Sequence, residues 1–331
     1  MGNGVTAGNL QSTYGNPYAL LVNPYDMALS TGATSTGSNP TLNLNALAKY
    51  TQIDLQALDN ISLNAAWTLA DSGTAAALNL SAGNNINLNS SITAGNKWNV
   101  NLDAGTSYSG TAKPNSGSDG IYLNGSSYLQ TKNGDITLNA ANEVIVNSGA
   151  IRTIGGGNIS VTAAQGDVNS GTSVSGFNYI KNAPYYTPFS VNTFLGTVGT
   201  SSSLGGISTA AGGNVTVNAG GNVTSYLPTG TGLSATGDAG TGAFGSQPGN
   251  VTINAGGSVF GHYVVANGEG NITAGRDVGN FSRNVALSLV AGSWSLNAPN
   301  GDIFLQEVRN PNGVFNTQGT SSTSQHYFNY D

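Results

Sequence analysis

The feature that most constrains this chain is a short unit that recurs through most of its length. The unit is a Gly, then Asn or Asp, then a β-branched residue, and an apolar–polar–apolar run often follows it. Such alternation is typical of a half-buried strand. Gly and Asn tolerate turn conformations, so we expect strands of about four to six residues between tight turns. The units begin at Gly134, Gly157, Gly166, Gly213, Gly221, Gly249, Gly270 and Gly301.

The spacing of these units distinguishes between β architectures. Segments 213–223 (GNVTVNAGGNV) and 249–259 (GNVTINAGGSV) each hold two strand starts 8 residues apart, and other starts lie 21 to 23 residues apart. Eight residues fit one strand and one corner, and about 20 fit a coil of three faces. Hairpin arrays need two-residue turns, and propellers need a period near 40 to 45 residues. The spacing therefore predicts an all-β fold, a right-handed parallel β-helix (a solenoid) with loop insertions.

The repeats also predict the organisation of the chain. Residues 1–40 lack the pattern and form either a loop-rich lead-in or an incomplete first coil, and residues 41–331 form the β-helix, with strands beginning near Leu42. About 290 residues at 20 to 25 per coil predict about 12 coils and a rod near 60 Å long. Three stretches exceed the coil length and are expected to be insertions that leave the rod, at 106–119, 172–211 and 225–248.

The middle insertion is unusually aromatic. Six aromatic residues fall within 18 positions, against 8% aromatic residues in the whole chain. Their rings either pack back on the rod or form an exposed patch that binds sugars or a protein partner. The candidate ligand-binding residues are Phe177, Tyr179, Tyr185, Tyr186, Phe189 and Phe194.

A second recurring element, Leu/Val/Ile-Asn-Ala, places one Asn at the end of several strands. Stacked coils would bring these amides together, and each amide could bond to the next in a structural ladder. The alternative is that the row of amides binds a ligand. The predicted ladder residues are Asn64, Asn139, Asn218, Asn254 and Asn297.

Composition argues against most kinds of chemistry. Only 7% of residues are charged, the net charge is −6, and there is no Cys. Thiol enzymes, disulfide scaffolds and Cys-ligated zinc are thereby excluded, and nucleic-acid binding is not expected. The two His, His262 and His326, are too far apart in the sequence to define a metal site. We therefore expect no enzymatic activity, no cofactor and no metal.

The few charges are scattered along the chain, and the densest group lies between residues 269 and 309. An acidic–basic site could form there if successive coils bring the residues together. The alternative is a turn role, because several Asp occupy positions that Asn occupies in sister repeats. The possible site comprises Glu269, Arg276, Asp277, Arg283, Asp302, Glu307 and Arg309, and the Asp expected in turns are Asp135, Asp167, Asp277 and Asp302.

Neither end of the chain carries a recognisable signal. The first residues contain no basic segment followed by an apolar run, and no stretch of about 18 apolar residues occurs, so neither a leader nor a transmembrane segment is predicted. We expect the chain to be a piece of a longer protein, with a mature protein that has lost its leader as the alternative.

The repeats resemble the filamentous haemagglutinin-like exoproteins, the large adhesins of bacterial two-partner secretion. The similar segments are 134–151 (GDITLNAANEVIVNSGAI), 156–168 (GGNISVTAAQGDV) and 212–223 (GGNVTVNAGGNV). The resemblance implies a long right-handed β-helix that is secreted or displayed at the outer membrane. It also implies an outer-membrane transporter for the parent protein and roles in cell adhesion, aggregation or display.

Three functions therefore remain open. The first is a structural and adhesive rod segment of a bacterial exoprotein, with a glycan or protein on a host or neighbouring cell as partner. The second is a glycan-binding or polysaccharide-cleaving β-helix protein, for which the aromatic insertion is the motive. The third is the stalk of a contact-dependent toxin-delivery exoprotein.

Overall fold

A computed structural model of the chain describes residues 19–32 apart from 23, residue 35, residues 39–105, 118–177 and 203–227, and residues 238–309 apart from 246. The described residues form an all-β parallel β-helix, which confirms the predicted fold class. Most coils contribute one strand or strand segment to each of three faces, and parallel hydrogen bonds join each coil to the next.

The three faces consist of the following strands, numbered in chain order. Face 1 contains β1 (Ala19–Val22), β4 (Gln52–Ala57), β7 (Ala76–Ala82), β10 (Trp98–Ala104), β13 (Ile136–Ala140), β16 (Ile159–Ala163), β20 (Val215–Ala219), β24 (Val251–Ala255) and the ends of β25 (Val259–Ala274) and β26 (Val285–Asn297). Face 2 contains β2 (Met27–Ser30), β3 (Thr41–Asn43), β5 (Ile61–Leu63), β8 (Ile86–Leu88), β11 (Ile121–Leu123), β14 (Val144–Val146), β17 (Val168–Asn169), β21 (Val223–Thr224) and the start of β25. Face 3 contains β6 (Trp67–Leu69), β9 (Ile92–Ala94), β12 (Tyr128–Thr131), β15 (Ala150–Thr153), β19 (Gly206–Thr209), β23 (Thr241–Ala243), the middle of β25, the start of β26, and β27 (Leu305–Arg309).

The core consists of columns in which equivalent apolar residues of successive coils stack on one another. Strand residues alternate between buried and half-buried, as in β4 and β7. Because equivalent residues pair across coils, each inward side chain lies directly on its counterpart. One column of face 1 runs through Leu55, Leu80, Leu102, Leu138, Val161, Val217 and Ile253, all fully buried.

The described residues contain fewer coils than the number predicted. Nine coils are described, one for each strand segment of face 3, instead of about 12. In the last two, the bridge residues Val278 and Ile303 take the place of a face-2 strand. Nine coils at about 4.8 Å each span about 43 Å. The prediction also counted residues 106–117, 178–202, 228–237 and 310–331, which lie outside the described residues.

The β-helix begins before the predicted start near Leu42. Strands β1 and β2 pair in parallel with β4 and β5, so they form two faces of a first coil within residues 1–40. Strand β3 pairs with β2 on the side opposite β5, and a 3₁₀ helix follows it at Leu44–Leu47. Leu42, Leu44 and Leu47 are buried there, so this segment closes the N-terminal end of the core.

Two predicted insertions are narrower than expected. Strand β19 lies within 172–211 and β23 lies within 225–248, yet both pair in register on face 3. Within the three predicted insertions, residues 106–117, 178–202 and 228–237 lie outside the described residues. The two remaining strands, β18 (Gly176–Phe177) and β22 (Asp238–Ala239), pair antiparallel and so join the bases of the second and third insertions.

Glycine is required at one corner by close backbone approach. A Cβ on Gly157 would lie 2.1 Å from the carbonyl oxygen of Gly134, and one on Gly213 would lie 2.1 Å from that of Gly157. The sequence reasoning attributed such glycines to positive φ, which Gly213 has (+98°) and Gly157 does not. Coil-to-coil contact is therefore the more general reason for glycine at this corner.

We predict that Gly157→Ala lowers the free energy of unfolding by about 1–3 kcal/mol, because the added methyl group forces two coils apart. Gly73→Ala is the matched control, since a Cβ there meets nothing within 4 Å. It should change stability by no more than about 0.5 kcal/mol. Urea unfolding of both variants tests this, and equal losses would show that coil contact does not select glycine.

Candidate functional site

The most regular surface of the rod is the outer side of face 1 from β13 to β26, called here the face-1 surface. It consists of two columns that run along the rod, and every member is uncharged and half-buried or exposed. The Thr column comprises Thr137, Ser160, Thr216, Thr252, Asn271 and Ser295. The Asn column comprises Asn139, Thr162, Asn218, Asn254, Thr273 and Asn297.

The five predicted ladder residues fall into two separate stacks. Asn139, Asn218, Asn254 and Asn297 share the Asn column, where Asn254 Nδ2 donates to Asn218 Oδ1 at 2.9 Å. Thr162 and Thr273 interrupt this column. Asn64 lies instead at the corner after face 2, where it accepts a hydrogen bond from Asn89 Nδ2 at 2.8 Å. The single row inferred from the sequence is therefore a set of short ladders.

A longer ladder runs along the corner before face 1. Each side-chain oxygen accepts the backbone N–H of the equivalent residue one coil later, at 2.8–2.9 Å. This bond satisfies a backbone donor at the turn that would otherwise lack a strand partner. The ladder spans six coils through Asn99, Asp135, Asn158, Asn214, Asn250 and Glu269.

The unit at Gly270 was misassigned. Gly270 stacks on Val251 within a strand, and Glu269 takes the corner position instead of Asn271. Trp294 of the next coil lies over Gly270, where a Cβ would be 2.2 Å from the indole. The glycine at this position therefore makes room for a ring.

The corner before face 2 carries an equivalent ladder. Asp167 Oδ1 accepts the N–H of Asn222 at 2.6 Å, and Asp277 Oδ1 accepts that of Asp302 at 3.1 Å. Together with Asp135 in the first corner ladder, these contacts confirm the turn role predicted for Asp135, Asp167 and Asp277. Asp302 lies at the same corner and takes part through its backbone N–H.

In the ladders formed between side chains, carboxylates lie at the end of a row of amides. Asn101 Nδ2 donates to Asn79 Oδ1 at 2.7 Å, and Asn79 Nδ2 donates to Asp54. Asn139 likewise donates to Asp103 at 2.8 Å. An amide both donates and accepts, whereas an ionised carboxylate only accepts. Asp therefore ends a row of donors, and Asn continues it.

A shallow groove of about 360 Å³ follows the edge of the face-1 surface. Asn218, Asn254 and Thr273 line one side of it, and Gly220 and Gly256 line the corner. A Cβ on Gly256 would lie 2.2 Å from the carbonyl oxygen of Gly220, so coil contact keeps the corner free of side chains.

The charged residues considered as a possible catalytic cluster are spread over the last coils. Glu269 and Asp277 lie at opposite ends of one face-1 strand segment, whereas Glu307 lies on β27. Arg283 packs over the Phe260 ring, with its Cζ 4.1 Å from the centroid, and donates to Thr224 Oγ1 at 3.1 Å. Arg276 is exposed at the corner before face 2.

The aromatic candidates lie outside the described residues, apart from the backbone of Phe177 in β18. Tyr179, Tyr185, Tyr186, Phe189 and Phe194 therefore remain predictions. What the structure describes is the place on face 3 where their insertion joins the rod.

The buried side chain of Arg152 holds the chain where the second insertion joins the rod. Arg152 is 8% exposed and donates from Nε to Gln130 Oε1 at 2.7 Å and from Nη1 to the Leu204 carbonyl at 2.8 Å. Its guanidinium also lies over the Tyr128 ring, 4.5 Å from the centroid. Burial lowers the pKa of Arg152. Leu204 directly follows the second insertion, so Arg152 fastens that segment to the rod.

His262 makes the corresponding contact beside the third insertion. It is 1% exposed, with Nδ1 2.6 Å from the Ala239 carbonyl and Nε2 2.8 Å from Ser288 Oγ. A carbonyl only accepts, so the network assigns a proton to Nδ1. Sequence reasoning considered His262 only as a metal ligand and missed this role, because the contact depends on pairing between strands far apart in sequence.

The residues that the structure describes form neither a metal-binding cluster nor a membrane-spanning helix. No group of three or more His, Asp or Glu in these ranges could hold a metal ion. No helix among the same residues has the length and apolar character needed to cross a membrane.

Comparison with known proteins gives no identification. No family model, curated protein or solved structure matches this chain. Arguments about its function therefore rest on the geometry of its own residues.

Replacing Asn by Asp should affect stability differently in the ladders between side chains and in the corner ladders, where a side chain accepts a backbone N–H. Asn254→Asp removes an amide that donates to Asn218, which should lower the free energy of unfolding by about 0.5–1.5 kcal/mol. Asn214→Asp keeps the oxygen that accepts the Asn250 N–H and should change it by no more than about 0.5 kcal/mol. Thermal or urea unfolding at neutral pH measures both, and a larger loss for Asn214→Asp would contradict the assignment.

The stability of the folded chain should depend on pH through Asp71. The Asn96 backbone N–H donates to its carboxylate at 2.8 Å and lowers the pKa of Asp71, helped by Lys132 Nζ at 3.5 Å. A lowered pKa means that the stabilisation is present above the unfolded pKa of about 4 and is lost as the pH falls below it. The melting temperature of Asp71→Asn should therefore lie below that of the parent at pH 7, and the gap should narrow as the pH falls below about 4. A constant gap would contradict this role.

Proposed function

We propose that this chain is a structural and adhesive rod segment of a large bacterial secreted or cell-surface exoprotein, similar to the filamentous haemagglutinin-like proteins. In this proposal it mediates attachment to, or display at, a surface. The parent protein would reach the outer membrane through a transporter. A chain without Cys is compatible with export in an unfolded state, because no disulfide has to form or break.

The observation that carries the proposal is that acidic side chains form hydrogen bonds between neighbouring coils. Among the Asp and Glu that the structure describes, at least eight accept hydrogen bonds from the neighbouring coil. These carboxylates hold a stack together, which suits a rod. The eight are Asp26, Asp54, Asp71, Asp103, Asp135, Glu143, Asp167 and Asp277.

A second candidate, glycan binding, is favoured by the anchoring on face 3. The β18–β22 pair joins the bases of two insertions, and Arg152 and His262 fasten their ends to the rod. A fixed base suits a segment that presents side chains to a ligand. Polysaccharide cleavage receives less support. Glycoside hydrolysis uses two carboxylates that flank the bond to be cleaved, whereas the adjacent pair Asp277 and Asp302 stacks within a corner ladder, where Asp277 accepts the N–H of Asp302.

Adhesion can be tested with the purified full chain on a glycan array and on cultured epithelial cells. We expect saturable binding that falls at least tenfold in the Tyr185→Ala/Tyr186→Ala variant. Tyr25→Ala, which removes a partly exposed Tyr near the N-terminal end of the rod, is the control and should bind like the parent.

Two results would count against parts of the proposal. Absence of saturable binding to every glycan and cell type would refute adhesion by this segment. Binding that survives loss of Tyr185 and Tyr186 would refute the aromatic insertion as the glycan site while leaving adhesion intact.

A further inference from the structure

We propose that the face-1 surface is a docking site for a second copy of this chain, with the two rods lying side by side and antiparallel about a two-fold axis. The proposal extends attachment to contacts between copies. It does not depend on binding to a glycan or to a host cell.

The distribution of charge favours this face. Two chains with a net charge of −6 repel each other unless they meet through uncharged surfaces. Over the six coils from β13 to β26, neither column of the face-1 surface contains a charged residue. The carboxylates of Asp54 and Asp103 lie in earlier coils of the same columns. A second copy can therefore approach these two columns without burying a charge on them, and the carboxylates of Asp135 and Glu269 lie at the corner beside the Thr column.

The side chains retain capacity for hydrogen bonds. The structure records no hydrogen bond from the hydroxyls of Thr137, Ser160, Thr216 and Thr252 to any described residue. The bond between Asn218 and Asn254 uses one amide hydrogen of Asn254 and leaves the other. Hydroxyl and amide groups both donate and accept, so a surface made of them complements an identical surface. Branching at Cβ also restricts the Thr rotamers before contact.

The repeat distance suits a second copy. Polar groups recur along the rod every 4.7–4.9 Å or so, the spacing of neighbouring strands. A second copy has the same spacing by construction, so a match at one coil is a match at all six. Side chains this short also suit the separation of about 10 Å at which sheets pack face to face.

The area of the face-1 surface predicts weak association between two copies. Six coils cover about 29 Å along the rod, and five strand residues cover about 17 Å across it, which gives roughly 490 Å² per copy. Stable interfaces bury about 800 Å² per partner. Isolated chains should therefore dimerise only at high concentration, whereas many copies held on one surface would associate through multiple contacts.

Sedimentation velocity between about 10 μM and 1 mM tests the proposal. The parent chain should show a concentration-dependent increase in sedimentation coefficient. Thr216→Glu/Thr252→Glu places two carboxylates one coil apart on the face-1 surface and should abolish that increase. The matched control is Ser62→Glu/Asn87→Glu, which places two carboxylates one coil apart on face 2 and should associate like the parent.

A charge-swap experiment distinguishes docking from misfolding. Thr216→Lys/Thr252→Lys should also be monomeric alone, whereas an equimolar mixture of the Glu and Lys variants should associate more tightly than the parent, and more so at low salt. A monomeric parent at 1 mM together with a monomeric mixture would overturn the proposal. Glycan or cell binding by sparsely immobilised single copies is measured separately, so failure of self-association leaves the adhesive function standing.

Discussion

The structure depends on one repeated interaction, the in-register parallel pairing of each coil with the next. Because pairing fixes which residues stack, buried apolar residues lie on apolar residues, and short polar residues lie on short polar residues, as Asn218 lies on Asn254. Stability in such a solenoid is a sum of nearest-neighbour contacts between coils. Each coil buries its apolar side only by virtue of its neighbours, and the segment Thr41–Leu47 performs this task at the N-terminal end.

The polar groups follow from the same pairing. Corner residues lie beyond the strand ladders, so their backbone donors need partners, and a side-chain oxygen one coil away supplies them. The corner ladder from Asn99 to Glu269 continues this arrangement over six coils. Carboxylates end rows of amide donors because they only accept. The scarcity of charge and the abundance of Asn and Gly are thus consequences of how coils stack.

The sequence predicts the fold well because the repeat is local: spacing of Gly, Asn and β-branched residues suffices to indicate three-faced coils. It predicts the turn role of Asp135 and Asp167 for the same reason. It fails where contacts are distant in sequence. Arg152 reaches Leu204 across an insertion, and His262 reaches Ala239 and Ser288 on other coils. The sequence does not decide between a lead-in and an incomplete first coil for residues 1–40, because strand pairing, and not composition, identifies that coil.

Deletion of one coil tests the stacking account most directly. Residues 61–85 form one turn of 25 residues, since Ile61 pairs with Ile86 and Ile53 with Leu78. Removing them should leave β4 stacked on β10, with Asn101 able to reach Asp54. We predict that this variant keeps the parent's β-sheet circular dichroism per residue and unfolds cooperatively, whereas deletion of residues 61–73, about half a coil, does not. Equal behaviour of the two deletions would contradict the account.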